Sequence, residues 1–497
     1  MMVSRLSFLW LASYAPHLVA AVSYSVPSSP PSNASPLLDP APVGVSLEFF
    51  TFPGYMENVT STMTCLKNFK DLTGSWPPVR VGGTTQDRAT YNAQSSAAVT
   101  YSVSNPADAP MSLTFGPSFF DLAASYPGKV IIGLNRRLNN LGNTLAASRL
   151  AHQRMRNLDS IELGNEPNFY TNSDPIAGGT WNAARDRASQ VEWQRALASN
   201  LTTSSIISAG VFFGTDKFNN ANLAREEGNA MAAVKNFNSH NYPQWAGTYN
   251  LARLMSHSAI ATQIAPFKAE AAAARAAGKD YIMGETNSAT QGLSYITSVF
   301  SAATDSILAG GGGISPTFGA ALWIVDYVAQ SLLLGIKSIY FHQGTIGNCQ
   351  YCWWGRFSMG NPYYGAYFIT AALAEAQRIA PLDSFSNNFG GYAIYKDNKP
   401  IRILLINSNY YESGTRSRES FTLTGLPSGL TSVLSKRLTG SSATSRSDRS
   451  SPATFGGQTF QDGTCVKQGI EQVEEASVRA GSVTLSLAAS EALLVYL

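Results

Sequence analysis

At 497 residues the chain is longer than one hydrophobic core usually spans, and with 44% hydrophobic and only 13% charged residues it has ample material for a packed interior, so two domains are expected. The formal charge of +3 is scattered along the chain rather than gathered in a stripe, which excludes a basic footprint for nucleic acid. The same composition excludes a disordered polyelectrolyte.

Taken from the N-terminus, residues 1–21 place Arg5 before an apolar stretch broken by Pro16 and end on the small residues Val19 and Ala21. That is the pattern of a secretory signal cleaved after Ala21. The apolar run is shorter than the ~20 residues a membrane span needs, and no later stretch qualifies, so a secreted, extracellular protein without a membrane anchor is expected. The sequons at Asn33, Asn58 and Asn200 fit an extracellular glycoprotein. Residues 22–42 read as one short strand that joins a later sheet, followed by a Pro/Ser-rich extended linker.

From 43 to 365, eight short apolar runs alternate with longer Ala-rich stretches of helical character. The runs begin at Val45, Val79, Lys129, Ser160, Ser205, Val234, Tyr281 and Ser338. Eight strand–helix repeats predict an α/β chain folded as a (β/α)8 TIM barrel. A doubly wound sheet would want a Gly-rich phosphate turn after its first strand, and none is present. Gly310 to Gly313 lacks the Lys-Ser/Thr that follows a phosphate cradle.

From 366 to 497 the pattern changes to alternation, in GYAIYKD, IRILLIN, SFTLTGL, SVTLSL and ALLVYL, as in an antiparallel β-sandwich domain. The Ser/Arg-rich segment 439–451 reads as a long surface loop. Cys65, Cys349, Cys352 and Cys465 allow three pairings, and the sequence chooses none of them. Cys349-Gln-Tyr-Cys352 has no second ligand pair for zinc, since His152, His240, His257 and His342 occur singly, and a structural disulfide or buried thiol is the better reading.

Reactive groups of such a barrel lie at the C-terminal ends of its strands. Glu166, in IELGNEPNFY, stands at the end of the fourth run, immediately before a Pro that stops it; Glu285, in MGETN, ends the seventh. Strands four and seven face each other across a barrel, so the two carboxylates can oppose one another over a cleft. Glycosidic cleavage needs that pair: one group protonates the departing oxygen, and the other attacks or stabilises the oxocarbenium-like centre. Glu162, four residues before Glu166 and deeper in the strand, is expected to be a buried partner for a basic residue such as Arg80.

ELGNEPN around Glu166 and GETNSATQG around Glu285, with RVGGTT from Arg80 and HNY from His240, resemble the clan A retaining glycoside hydrolases. More narrowly, they resemble glycoside hydrolase family 79, which holds β-glucuronidases and heparanases. The resemblance implies that Glu166 is the acid/base and Glu285 the nucleophile. It further implies that Asn165 contacts the sugar 2-hydroxyl, that Tyr242 and Arg80 keep Glu285 ionised, and that Glu48 binds distal hydroxyls. In the family the loop after the nucleophile binds the uronate carboxylate, which points to the amides of Gln291 and Gly292. Thr290 stands where an aromatic is often found, with Tyr327, Tyr351 and Gln343 as candidates to compensate.

The implied activity is that of a secreted retaining exo-β-glucuronidase acting on terminal glucuronate or its 4-O-methyl ether, in arabinogalactans, proteoglycans or glucuronide conjugates. A clan relative acting on neutral sugars, an endo-acting heparanase-like enzyme and a non-catalytic carbohydrate-binding protein are the alternatives. No cofactor or metal is implied, and no nucleic-acid partner. Trp353 and Trp354 are read two ways: stacking on sugars in outer subsites, or packing the barrel against the sandwich.

Overall fold

Each of the eight apolar runs forms a strand of one closed parallel barrel: β1 (Val43–Glu48), β2 (Val79–Gly82), β3 (Val130–Leu134), β4 (Leu158–Leu163), β5 (Ile207–Phe213), β6 (Val234–Asn241), β7 (Asp280–Thr286) and β8 (Ile339–Gln343). Neighbours pair in chain order, and β8 closes on β1 with Ile339 opposite Val43. The computed structural model describes residues 22–290 and 310–497. The expected secretory signal and the two loop residues Gln291 and Gly292 lie outside the described residues.

Alternation along the strands sorts apolar from polar. Val45, Leu47, Val79, Val81, Ile161 and Phe237 belong to the main core, while Ser46, Arg80, Glu162 and Asn238 hydrogen-bond to one another across the barrel interior. Below this polar layer, Ile131, Ile282 and Tyr340 form a separate apolar plug. Gly284 is required there, because a Cβ would sit 2.3 Å from the Asn238 amide. The interior is therefore dry at the bottom and chemically equipped at the top.

Among the described residues, helices that meet the C-terminal unit include α1 (Ser61–Thr73), α2 (His257–Ile264), α3 (Phe318–Leu334) and α4 (Asn361–Leu373). α4 straddles position 365, and the first strand beyond it is Arg378–Pro381. Two main sheets make up that unit, beside a two-stranded ribbon of Thr459–Phe460 and Lys467–Gln468. One runs in the order Arg378–Pro381, Phe389–Lys396, Lys399–Asn407, Glu491–Tyr496, Ser432–Thr439, Thr454–Phe455. The other pairs Arg418–Thr424 with Val483–Ala488, and Val22–Ser25 adds to it in parallel, Val22 opposite Phe421. Their facing side chains, Phe421 and Leu485 against Leu405 and Val495 among them, form a second core.

The 439–451 segment is a loop, as expected, but only partly on the surface: Asp448 to Ser450 are exposed, whereas Ala443 is fully buried and Ser445 nearly so. α3 is buried on all sides, so the orphan N–H groups of its first turn need protein acceptors. The carbonyls of Ser445 and Ala443 supply them, accepting from the Phe318 and Gly319 amides at 2.9 and 2.8 Å. Small side chains permit that close approach, and small polar side chains are also what make a segment look like a loop.

The cysteines pair as Cys65–Cys465, which ties α1 to the C-terminal unit, and as Cys349–Cys352 within the loop after β8. Both tryptophans of that loop are buried. Trp353 lies 5.1 Å from Phe341 and 5.7 Å from Phe69, and the Trp354 indole N–H donates to Thr62 at 3.0 Å. Both rings pack within the barrel unit, so the reading as sugar platforms does not hold, and, among the described residues, the reading as packing against the sandwich is met only through Tyr363, which they flank and whose ring lies 4.8 Å from that of Phe460.

A charged cluster joins barrel to sandwich. His257 of α2 contacts Asp326 of α3 through Nδ1 at 2.8 Å and Asp383 of the sandwich through Nε2 at 2.9 Å, while Tyr392 donates to Asp326. Burial opposes charge on His257, but the two carboxylates outweigh it and lift its pKa to about 10. Because the folded value is raised above the unfolded one of ~6.5, the contribution to stability is complete below that pH and disappears as pH rises through about 10. Thermal unfolding from pH 6.5 to 10 should therefore show wild type losing its advantage over His257→Gln. A constant difference across that range would refute the charged bridge.

Candidate functional site

Glu166 lies three residues beyond β4 in a backbone conformation that L residues rarely adopt, φ 46° and ψ 58°, two residues after Gly164 at φ 86°. Its amide donates to the carbonyl of Val211, itself at φ 57°, at 3.0 Å. Two non-glycine residues held in the left-handed region cost roughly 1–2 kcal/mol each, and such strain gathers where a side chain must be aimed. The Glu166 carboxylate points at His240 Nδ1, 2.9 Å away at the end of β6. The pairing of β6 slips at Ser239/His240, which places His240 opposite Glu285 of β7. One oxygen of each carboxylate and a ring nitrogen of His240 all lie within 4.8 Å of one another.

Glu285 is gripped on both oxygens: the Tyr242 hydroxyl donates to Oε1 at 2.7 Å, and Arg80 Nη1 donates to Oε2 at 2.5 Å. Arg80 is fully buried and serves four groups. Besides Glu285 it donates to Glu162 through Nε at 2.9–3.0 Å, to Ser46 Oγ at 3.0 Å and to Asn165 Oδ1 at 2.9 Å. The Glu162–Arg80 pair expected from sequence is present. A guanidinium only donates, so it fixes Asn165 with its oxygen inward and its NH2 end available to a sugar hydroxyl.

These surroundings pull the carboxylates apart. Burial raises Glu166 well above the usual range, and the charge of Glu285 raises it further. Burial also opposes charge on Glu285, yet His342, the Arg80 guanidinium and the Tyr242 hydroxyl bring it down to about 2. His240 is neutral, because burial and the Arg80 charge both lower it. Glu162 rises to about 7 through burial, even with Arg80 beside it. The two shifts run in opposite directions, favouring the proton on Glu166 and the charge on Glu285, the division of labour an acid and a nucleophile need.

Other predicted residues fall into two groups. Glu48 is buried beside the site, accepting from the Thr85 amide at 2.8 Å and contacting His342 Nε2 at 3.1 Å. Tyr351 borders the same space, its ring 6.2 Å from Tyr242 and 6.1 Å from His342. Two residues are corrected from substrate binding to scaffold. The Tyr327 hydroxyl is occupied by Asn241 at 3.0 Å and Thr286 at 3.3 Å, beneath the strand ends. Gln343 accepts from the Trp353 amide at 2.7 Å and donates to backbone, which fixes the loop after β8.

Sequence reasoning missed Asp87, which accepts from the Asn165 amide at 2.8 Å and from the Tyr170 hydroxyl at 2.5 Å, and so orients the residue beside the acid. It also gave no role to His342, whose Nδ1 lies 3.0 Å from Ser46 Oγ and 3.6 Å from Glu285. A titratable residue at a barrel strand's C-terminal end, FHQG, was the available signal. The Glu166–His240–Glu285 set offers three donor atoms to a cation, but the Arg80 guanidinium held on Glu285 opposes a second positive charge there.

The chain is 31% identical over 462 residues to a β-glucuronidase of Neurospora crassa, covering 82% of this chain and 78% of that one. A β-glucuronidase of Aspergillus niger is 30% identical over 426 residues, 78% of this chain and 74% of its own. The chain belongs to glycoside hydrolase family 79. The family's C-terminal beta domain model matches residues 391–494. A solved 4-O-α-L-rhamnosyl-β-D-glucuronidase from Fusarium oxysporum 12S, in complex with Rha-GlcA, superimposes with a TM-score of 0.91 at 57% identity, covering 96% of this chain and all of that one. This family 79 chain is an enzyme, and its barrel and β-rich second domain are those of the family.

Proposed function

We propose that the enzyme is a secreted, retaining, exo-acting β-glucuronidase. The observation that carries the mechanism is the pair of glutamates, one oxygen of each within 4.8 Å of the other's and their pKa values pushed in opposite directions. Retaining glycosidases keep their carboxyl groups ~5–5.5 Å apart, whereas inverting ones need ~6.5–9.5 Å to admit a water. Glu166 gives its proton to the glycosidic oxygen as Glu285 attacks the anomeric carbon. The leaving group departs as an alcohol and a glycosyl ester forms on Glu285. Glu166, now a carboxylate, takes a proton from water, which attacks the same carbon and releases Glu285. Tyr242 and Arg80 hold Glu285 ready, and Asn165 offers its amide to the 2-hydroxyl.

Glucuronate as the sugar is supported by the two relatives named β-glucuronidase. The higher identity to the Fusarium enzyme favours a second reading, in which the glucuronate released still bears a 4-O-rhamnosyl group. Hydrolysis of a chromogenic β-D-glucuronide beside its β-D-glucoside tests the sugar; faster turnover of the glucoside would sink the glucuronidase reading. Its pH profile should lose activity on the alkaline side as Glu166 gives up its proton, well above the ordinary carboxylate range, and on the acid side only near pH 2, as Glu285 gains one.

A further inference from the structure

The turn that aims Glu166 also carries an aromatic ring. Phe169 ends the short turn Pro167–Phe169, its amide donating to the Glu166 carbonyl at 2.9 Å, while the Trp181 indole N–H donates to the Pro167 carbonyl at 2.7 Å. Asn168 uses both ends of its amide on the next strand end: it accepts from the Phe213 amide at 3.0 Å and donates to the Phe213 carbonyl at 3.3 Å. The turn after β4 and the end of β5 are thereby tied together, and their rings, Phe169 and Phe213, lie 5.3 Å apart at 52°.

Phe213 continues the row inward. Its ring lies 6.3 Å from that of Tyr242 at 10°, and the Tyr242 hydroxyl holds Glu285. Three rings thus run from the group that supports the nucleophile to the rim beside the acid, and they open outward: Tyr242 is buried, Phe213 half-buried and Phe169 48% exposed. An exposed Phe standing alone means little. This one ends a row that starts at the reacting centre, and its backbone is bonded to that of the acid.

The chemistry decides which side of the scissile bond the row serves. Glu285 attacks the anomeric carbon from the face opposite the departing oxygen, and Glu166 protonates that oxygen, so the leaving group lies beyond Glu166. Phe169 stands at that rim. Resting on the reading of Glu166 as the acid and Glu285 as the nucleophile, we infer that Phe169 and Phe213 form a subsite for the leaving group, which is a pyranose laid with its C–H face on the Phe169 ring. An aromatic face offers a ligand carbon and no hydrogen bond; a pyranose has a face of C–H groups to meet it while its hydroxyls stay in water.

The test compares methyl β-D-glucuronide with the disaccharide in which O6 of a methyl hexopyranoside replaces the methanol, a pair that differs in the ring and little in leaving-group acidity. The ratio of kcat/KM, disaccharide over methyl glycoside, should fall about tenfold in Phe169→Ala and in Phe169→Leu and be kept in Phe169→Trp, which separates a ring from mere bulk. A ratio unchanged in the Ala and Leu variants, even where both rates fall together as a structural role would make them, overturns the subsite. With benzyl β-D-glucuronide as a third substrate, a fall confined to the benzyl compound overturns the sugar as its occupant. Turnover of the matching β-D-glucosides alone overturns the glucuronate reading, and the same ratio measured on them still judges the subsite. The role of Glu166 is judged separately: equal losses in Glu166→Ala on the disaccharide and on an activated aryl glucuronide would overturn it.

Discussion

Changing Glu285 to Gln lowers kcat/KM on an aryl β-D-glucuronide by at least about 10⁴-fold, the scale on which loss of a covalent nucleophile acts. The amide fails twice. It cannot form the glycosyl ester, and it has one acceptor where Arg80 and Tyr242 present two donors, 2.5 and 2.7 Å from the native oxygens. Glu166→Ala is the companion. Substrates with good leaving groups should lose less than poor ones, because they need less protonation, and added azide should restore turnover to a product that keeps the β configuration. A Glu285→Gln enzyme retaining more than a per cent of wild-type activity, freed of contaminating wild type, would remove Glu285 from the nucleophile's role.

Arg80→Met should cost about 3–5 kcal/mol of unfolding free energy besides eliminating activity, the range for breaking a buried ion pair from one side. The substitution leaves Glu162 and Glu285 in the barrel with no cation, and Ser46 and Asn165 without a donor. Since the cost comes from unpaired charge rather than lost volume, adding Glu162→Met should recover part of the stability and none of the activity. Denaturant unfolding of the two variants distinguishes the causes: equal destabilisation of the single and double variants would point to packing instead.

The eight strands were legible because each is a short apolar run bounded by helical spacing, and Glu166 and Glu285 were legible because charge at a strand end is costly. Glu162 could be read as the partner of Arg80 for the same reason. What escaped depends on distances across hundreds of residues. Asp87 and His342 act on the site from the turn after β2 and from β8, and nothing in the sequence ties either of them to the glutamates. The choice of Cys465 for Cys65 needed the sandwich docked on α1. The buried part of the 439–451 loop went unread because capping α3 calls for backbone carbonyls, and any small residue provides one.

The place of Val22–Ser25 bears on how the protein can be taken apart. The edge strand of the smaller sandwich sheet comes from the start of the described chain, while everything it pairs with comes from beyond residue 417. The barrel is thus bracketed by the two halves of its neighbour. A fragment beginning at Arg378 would carry a bare, pairable edge along Arg418–Thr424, an invitation to associate with itself. Chimaeras that exchange the second unit between relatives must move residues 22–26 with it and keep Cys65 matched to Cys465, or they will join parts that each lack a piece of the other.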